Sequence, residues 1–269
     1  MCLILFSNKE HPVYSLVLGA NRDEFYERPT APASFWTDAP NMLAGRDLRH
    51  GGTWLGIHRN GRFAAVSNYR DPSSDRLQAL SRGIVVRDFL LGFAEPLAYL
   101  QQLSRKRNQY NYFNLILGKA SDIWYYCNRN DEVRSLSSGL YGMSNHLLNT
   151  PWLKVEEGKA ALHQLISKEK NIHPERILDI LADRSIANDY RLPDTGVSLD
   201  MERMLSARFI SSAHYGTRSS TVLLIDKQGN VTFTERSFDT QSNESKTLRY
   251  RFTITASSQT EPLSTVTAT

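Results

Sequence analysis

Two cysteines, Cys2 and Cys127, are all that this chain of 269 residues contains, and neither belongs to a CxxC pair. No HxxxH pair accompanies them, so no metal site is expected. A disulfide between the two is disfavoured in a reducing compartment. Long apolar runs are missing too. None approaches the roughly 18 residues that a membrane helix needs, so no stable membrane insertion is expected. The first apolar stretch stops at Phe6 with no basic segment ahead of it, which argues against a secretory signal. Glu10 follows early, against a mitochondrial targeting segment. The expected location is cytoplasmic. Dense Lys/Arg blocks are absent. The nearest, Ser104-Arg105-Lys106-Arg107, reads as a solvated helix end, and nucleic acid is not an expected partner.

What is present is ordinary for a globular protein: 41% apolar residues, 22% charged residues and a formal net charge of +4. That diffuse positive excess suits a small acidic ligand. Strand-like runs over 2–7 and 13–20 form a first hairpin, and residues 28–32 read as a loop. A second hairpin spans 54–58 and 62–68, with Asn60-Gly61 as its turn. Helices are expected over 84–93, 96–106, 152–169 and 174–182, and further strands near 113–118, 122–127, 139–143, 221–226, 231–236 and 250–255. Hairpins exclude a mostly parallel sheet. The order of elements implies an α+β fold with two stacked, mostly antiparallel sheets and helices outside. One domain over 1–255 is expected, followed by a disordered Ser/Thr-rich tail over 256–269.

The sharpest chemical signal is Cys2, with Asn21-Arg22-Asp23-Glu24 directly after the next apolar run. A cysteine behind the initiator methionine can become an N-terminal residue that carries its own base. The thiol attacks, and an α-amine with a reference pKa near ~8 takes the proton. Arg22 on the neighbouring strand would favour the thiolate, and Asp23 would orient the amine. Arg22 and Asp23 fit a structural ion pair as well. Cys127, inside an aromatic strand, reads as a buried small residue. Gly51-Gly52 reads as a tight turn and not as a phosphate cradle, since no helix N-terminus follows it.

Several motifs occur in one order: Ala20-Asn21-Arg22-Asp23-Glu24-Phe25-Tyr26, Gly51-Gly52-Thr53-Trp54-Leu55-Gly56, Tyr141-Gly142-Met143-Ser144-Asn145 with Thr150-Pro151-Trp152, and Tyr215-Gly216-Thr217-Arg218. With them the chain resembles the family named for its Asn-Arg-Asp-Glu motif, whose animal member is a transport and Golgi organisation protein. That family is in turn similar to the N-terminal-nucleophile hydrolases of the bile-salt hydrolase and penicillin V acylase type. The resemblance implies a four-layer αββα sandwich. It also implies catalytic roles for Cys2 as nucleophile, Arg22, Asp23, Asn145 near the nucleophile, Asn68 as an oxyanion donor and Arg218 closing the site. Asn145 equally fits a turn, and Arg218 a surface strand entry.

Two functions follow from the resemblance. The favoured one is intracellular haem trafficking, with haem as cargo passed between donor and acceptor proteins that the sequence does not name. An acyl-coenzyme A or lipid-like small molecule is the other ligand class implied. Trp54 and Tyr69, with Trp36 and Trp152, would line a cleft for a flat apolar ligand, while Arg22, Arg46 or Arg218 would meet its carboxylates. Candidate axial ligands are His58, His146, His214, Tyr69, Tyr215 and Cys2. The alternative is a Cys2-dependent amidohydrolase or acyltransferase acting on an amide or thioester.

Overall fold

Strand β1 (Cys2–Asn8) is buried on both faces: Leu3 and Leu5 join one apolar cluster, Ile4 and Phe6 another. Side chains alternate along a strand, so β1 must lie between two apolar layers. The computed structural model, which describes residues 2–255, supplies both. β2 (Tyr14–Phe25) returns beside β1. Then come β3 (Thr30–Trp36), β4 (Ala39–Asp47), β5 (Leu55–His58) and β6 (Phe63–Asn68). Helices α1 (Arg82–Leu91) and α2 (Pro96–Arg105) precede β7 (Phe113–Lys119), β8 (Asp122–Cys127), β9 (Glu132–Leu136) and β10 (Gly139–Ser144). Helices α3 (Leu153–Lys168), α4 (Pro174–Leu181) and α5 (Leu199–Ser206) lead to β11 (Tyr215–Asp226), β12 (Asn230–Phe238) and β13 (Glu244–Thr253).

The strands form two antiparallel sheets, one ordered β10-β1-β2-β11-β12-β13 and one running β3 to β9 in sequence. Val155 and Leu162 of α3 and Ile177 and Leu181 of α4 cover Leu3, Leu5, Val17 and Leu224 on the outer face of the first sheet. Helix α1 covers β4, β5 and β6 of the second. Between the sheets, Ile4, Phe6, Leu18 and Phe233 meet Ile57, Phe63 and Ile116. The four layers are therefore helix, sheet, sheet, helix, the expected αββα arrangement. No helix among the described residues is long and apolar enough to cross a membrane, and no group of His, Cys, Asp and Glu there could hold a metal ion. Cys2 and Cys127 are both free thiols. The expected tail, 256–269, lies outside the described residues.

Two expectations need correction, and one helix was not anticipated. Residues 28–32 are not all loop, because β3 starts at Thr30 and pairs with β4, an element with no counterpart in the sequence reading. Strand β2 does not stop at Ala20 but carries the whole Asn-Arg-Asp-Glu motif. Polar residues hide that continuation, yet they are satisfied inside: the Asn21 Nδ2 donates to the carbonyls of Leu181 (2.9 Å) and Arg208 (2.7 Å). Helix α5 is a further element with no counterpart in the sequence reading; Ser198 caps it through the Met201 amide at 3.3 Å.

Gly51-Gly52 is the tight turn expected, with Gly51 at φ +67°. Gly52, however, packs on the first turn of α1, so a helix N-terminus does reach this turn from elsewhere in the chain. A Cβ at Gly52 would sit 2.5 Å from the Gly83 carbonyl carbon and 2.8 Å from the Ile84 nitrogen. Both are backbone atoms that cannot step aside. Gly52→Ala is expected to cost about 2–3 kcal/mol, the upper part of the overpacking range, in a urea titration. An unchanged midpoint would mean that α1 shifts freely.

Candidate functional site

Cys2 pairs with Arg22 across the β1–β2 ladder, and Arg22 pairs with Ser219 of β11. Directly opposed residues share a face, so all three point between the sheets, as Ile4 does. There they border a cavity of about 390 Å³ lined by Cys2, Arg22, Glu24, Arg28, Asp47, His50, Trp54, Asn68, Arg76, Leu77, Leu80, Arg82 and Gly83 among others. Arg22 is 5% exposed. Its guanidinium lies 4.2 Å from the centre of the Trp54 ring, and its Nη1 donates to the Thr30 hydroxyl at 3.2 Å. Trp54 lies flat because position 45 is glycine; a Cβ there would come within 2.3 Å of the ring.

The acids of the cavity wall are largely engaged. Arg28 grips Asp47 with two nitrogens, at 3.2 and 2.8 Å, and reaches Glu24 at 3.7 Å. Arg22 and Arg82 form no salt bridge among the described residues. Arg82 donates to the Tyr112 carbonyl at 3.2 Å. Burial lowers the pKa of both guanidiniums, although arginine stays charged. Arg82 also opens α1, whose N-terminal turn, Ser81 to Gly83, faces the cavity.

Ser67, on β6, fixes Cys2 from the opposite sheet. Its hydroxyl donates to the Cys2 carbonyl at 3.1 Å and accepts the Asn145 amide at 3.2 Å. Asn145, at φ +59°, serves a turn: its Nδ2 donates to the Asn68 carbonyl at 3.1 Å, and its own carbonyl accepts the Arg70 amide at 2.7 Å. Asn145 thus ties β10 to β6 beneath Cys2, without lining the cavity itself. Asn68 does line it.

Asp23 also borders this cavity, but its carboxylate belongs to the helix side of β2, where Thr217 donates to it at 2.7 Å. Burial raises its pKa, opposed by Lys154 and Thr217. Lys154, at the start of α3, is buried, donates to the Leu205 carbonyl at 2.7 Å and is pushed down to about 8 by desolvation, which Asp23 opposes. Sequence reasoning missed Lys154, as it missed Ser67, Arg28 and Arg82.

Arg218 does not reach Cys2. It sits at a bulge in β11 and donates to the carbonyls of Phe25 (3.0 Å), Tyr26 (3.0 Å) and Arg28 (3.3 Å). Tyr69 stacks beside His146, with ring centres 4.9 Å apart, away from the cavity. Trp36 bonds to the Ala44 carbonyl at 3.0 Å, and Trp152 lies against Arg70. Arg46, the remaining cation expected to meet ligand carboxylates, stacks on Trp36 and pairs with Asp38 at 2.8 Å. Of the four aromatic residues expected in one cleft, only Trp54 borders the Cys2 cavity.

The thiol itself departs from expectation. Arg22 and the Asp23 amide favour the thiolate, but burial outweighs them and, with the Asp23 charge, pushes the Cys2 pKa up. Alkylation of Cys2 by iodoacetamide should therefore follow a rate–pH profile with a midpoint above the ordinary thiol value of about 8.5, and Arg22→Met should move it higher. A midpoint below 8.5, roughly the free-thiol value, would contradict this balance.

Residues 1–240 match the family model described as Transport and Golgi organisation 2. The chain belongs to that family. It is 38% identical over 275 residues to the human Transport and Golgi organization protein 2 homolog, covering 94% of this chain and 99% of that protein. The Drosophila melanogaster Transport and Golgi organization protein 2 is 29% identical over 263 residues, covering 87% and 91%. Among solved structures, a mutant of conjugated bile acid hydrolase from Clostridium perfringens aligns with a TM-score of 0.45 at 8% identity, over 95% of this chain and 98% of that one. A Caenorhabditis elegans N-acylethanolamine-hydrolyzing acid amidase ortholog aligns with a TM-score of 0.39 at 10% identity, covering 83% and 92%.

Proposed function

We propose that the Cys2 cavity of this Transport and Golgi organisation 2 family member receives a small molecule with an anionic end and an acyl carbonyl, of the acyl-coenzyme A thioester class. One observation carries this reading. Arg22 and Arg82 border the cavity beside Cys2 without a salt-bridge partner among the described residues. Glu24, and for Arg82 also Asp75, act on them only from beyond ion-pair contact, so burial still dominates both guanidiniums, and an anion between the two relieves it. The first turn of α1 adds amide groups of the same preference. Leu77, fully exposed, and Leu80, 46% exposed, stand at the mouth and offer apolar surface to an acyl chain.

Cys2 then faces the carbonyl. Its thiolate attacks the thioester carbon, a new sulfur–carbon bond forms, and the leaving thiolate departs and takes up the proton. In this reading, loss of Met1 would leave an α-amine on Cys2 to accept the thiol proton first.

A second reading is haem as cargo. The same two guanidiniums suit a pair of carboxylates, and Cys2 and His50 border the cavity as candidate axial ligands. His58, His146, His214, Tyr69 and Tyr215 do not line it. The aromatic walls expected for a macrocycle are represented by Trp54 alone, which is why the thioester reading is preferred.

Titration separates the two. Palmitoyl-coenzyme A followed by calorimetry is expected to bind saturably, with binding strongly weakened in Arg22→Met. Haemin followed by its Soret band is expected to give no stoichiometric shift. The reverse pattern would transfer the assignment to haem, and saturation by neither would sink both readings.

A further inference from the structure

Behind Trp54 lies a second cavity, of about 220 Å³, bordered by Thr30, Pro32, Trp54, Ser219, Glu235 and Phe238. Trp54 is a wall of both cavities. Glu235 stands opposite Thr221 on the β11–β12 ladder and faces β3 of the other sheet. It is 2% exposed and Ser219 is 4% exposed.

The Glu235 Oε1 accepts the Ala33 amide at 2.6 Å. Among the described residues no donor reaches the Oε2 with hydrogen-bond geometry, although the Thr221 hydroxyl across the ladder interacts with the carboxylate, and the Ser219 hydroxyl has no partner there either. A buried carboxylate oxygen left without a donor is costly, so an unpaired one beside a cavity marks a missing partner. Neighbouring cations do not supply it. Arg22 faces Trp54 and Thr30, Arg218 donates to three main-chain carbonyls, and Lys246 stands exposed at the mouth. Burial holds the Glu235 carboxyl up at about 7 against the Ala33 amide, Arg22 and the Thr221 hydroxyl.

We propose that this cavity is a second ligand subsite, taking a small group whose hydroxyl or ammonium donates to the Glu235 Oε2 and meets the Ser219 hydroxyl. The apolar part of that group lies against Pro32, Trp54 and Phe238. The subsite does not depend on what binds at Cys2.

The test is a titration of the full chain at about pH 8.5, where the Glu235 carboxyl is ionised and only accepts, with glycerol, propylammonium and acetate, read on the Ala33 amide and the Trp54 indole by nitrogen–proton correlation NMR. Glycerol or propylammonium is expected to shift both signals saturably, and whichever saturates first identifies the donor; acetate, an acceptor only, is expected not to. Glu235→Gln keeps an acceptor for Ala33 but presents an amide donor to the cavity. It should weaken the donor probes at least tenfold and admit acetate. Ser245→Trp, at the exposed cavity mouth, should abolish every saturable shift without touching Glu235. Shifts that never saturate, or that survive both variants, would mean that the cavity holds water only and would overturn the proposal.

Discussion

Replacing Arg22 with methionine is expected to weaken acyl-thioester binding about 30- to 100-fold, as loss of a charge-assisted contact does. The same change should leave folding stability within about 1 kcal/mol of the native chain. Those two outcomes come from opposite sides of one balance. In the free protein the Arg22 guanidinium is buried with a tryptophan face and one hydroxyl as partners. The ring contact and the hydrogen bond contribute about 1–2 kcal/mol each. Desolvating a charge that has no contacting counter-ion, with Glu24 acting only from a distance, costs several, so methionine, apolar and of similar length, offsets what it removes. With ligand bound, nothing offsets the loss, because the anion has lost its counter-charge. Calorimetric titration and urea unfolding on the same two proteins measure both. A large stability loss with unchanged affinity would make Arg22 a structural residue.

Arg70→Met should be the most damaging of the single substitutions considered for stability, at about 3–4 kcal/mol in urea unfolding. Arg70 and Glu202 form a 2.7 Å pair whose side chains are only 5% and 4% exposed. Removing the cation leaves a carboxylate deep in the protein with the Thr195 amide and hydroxyl as its remaining donors. The double change Arg70→Met with Glu202→Leu should recover most of the loss, since two apolar residues replace a buried ion pair at little cost. A double variant no better than Arg70→Met would refute a pair-based origin. The effect should reach the site, because α5 also carries Leu205, whose carbonyl holds Lys154 beside Asp23.

Motif and position made Cys2 and Arg22 legible in the sequence, and the ladder places them opposite each other. The strand patterns made the two sheets legible as well. What escaped were contacts between layers. Ser67 reads as a polar residue in a strand and would be assigned to solvent, yet its partners are Cys2 and Asn145, 65 and 78 positions away. Glu235 escaped for the same reason: an acid flanked by Thr234 and Arg236 looks like a solvent face, and only sheet stacking buries it. Arg82 looked like the residue before a helix and is instead its first, at the cavity. Arg218, carried over by resemblance, stops at the β2 turn because a bulge in β11 re-aims it. The aromatic cleft failed because each tryptophan and tyrosine found a local partner nearer than a shared cavity.

A ligand in the cavity must lie against Cys2. The most direct measurement is iodoacetamide alkylation of the two cysteines, mapped by peptide mass, with and without saturating palmitoyl-coenzyme A. Cys127, fully buried in β8, serves as the internal control. Protection of Cys2 by at least tenfold, with Cys127 unchanged, is the predicted result. An alkylation rate at Cys2 that the thioester does not alter would contradict it.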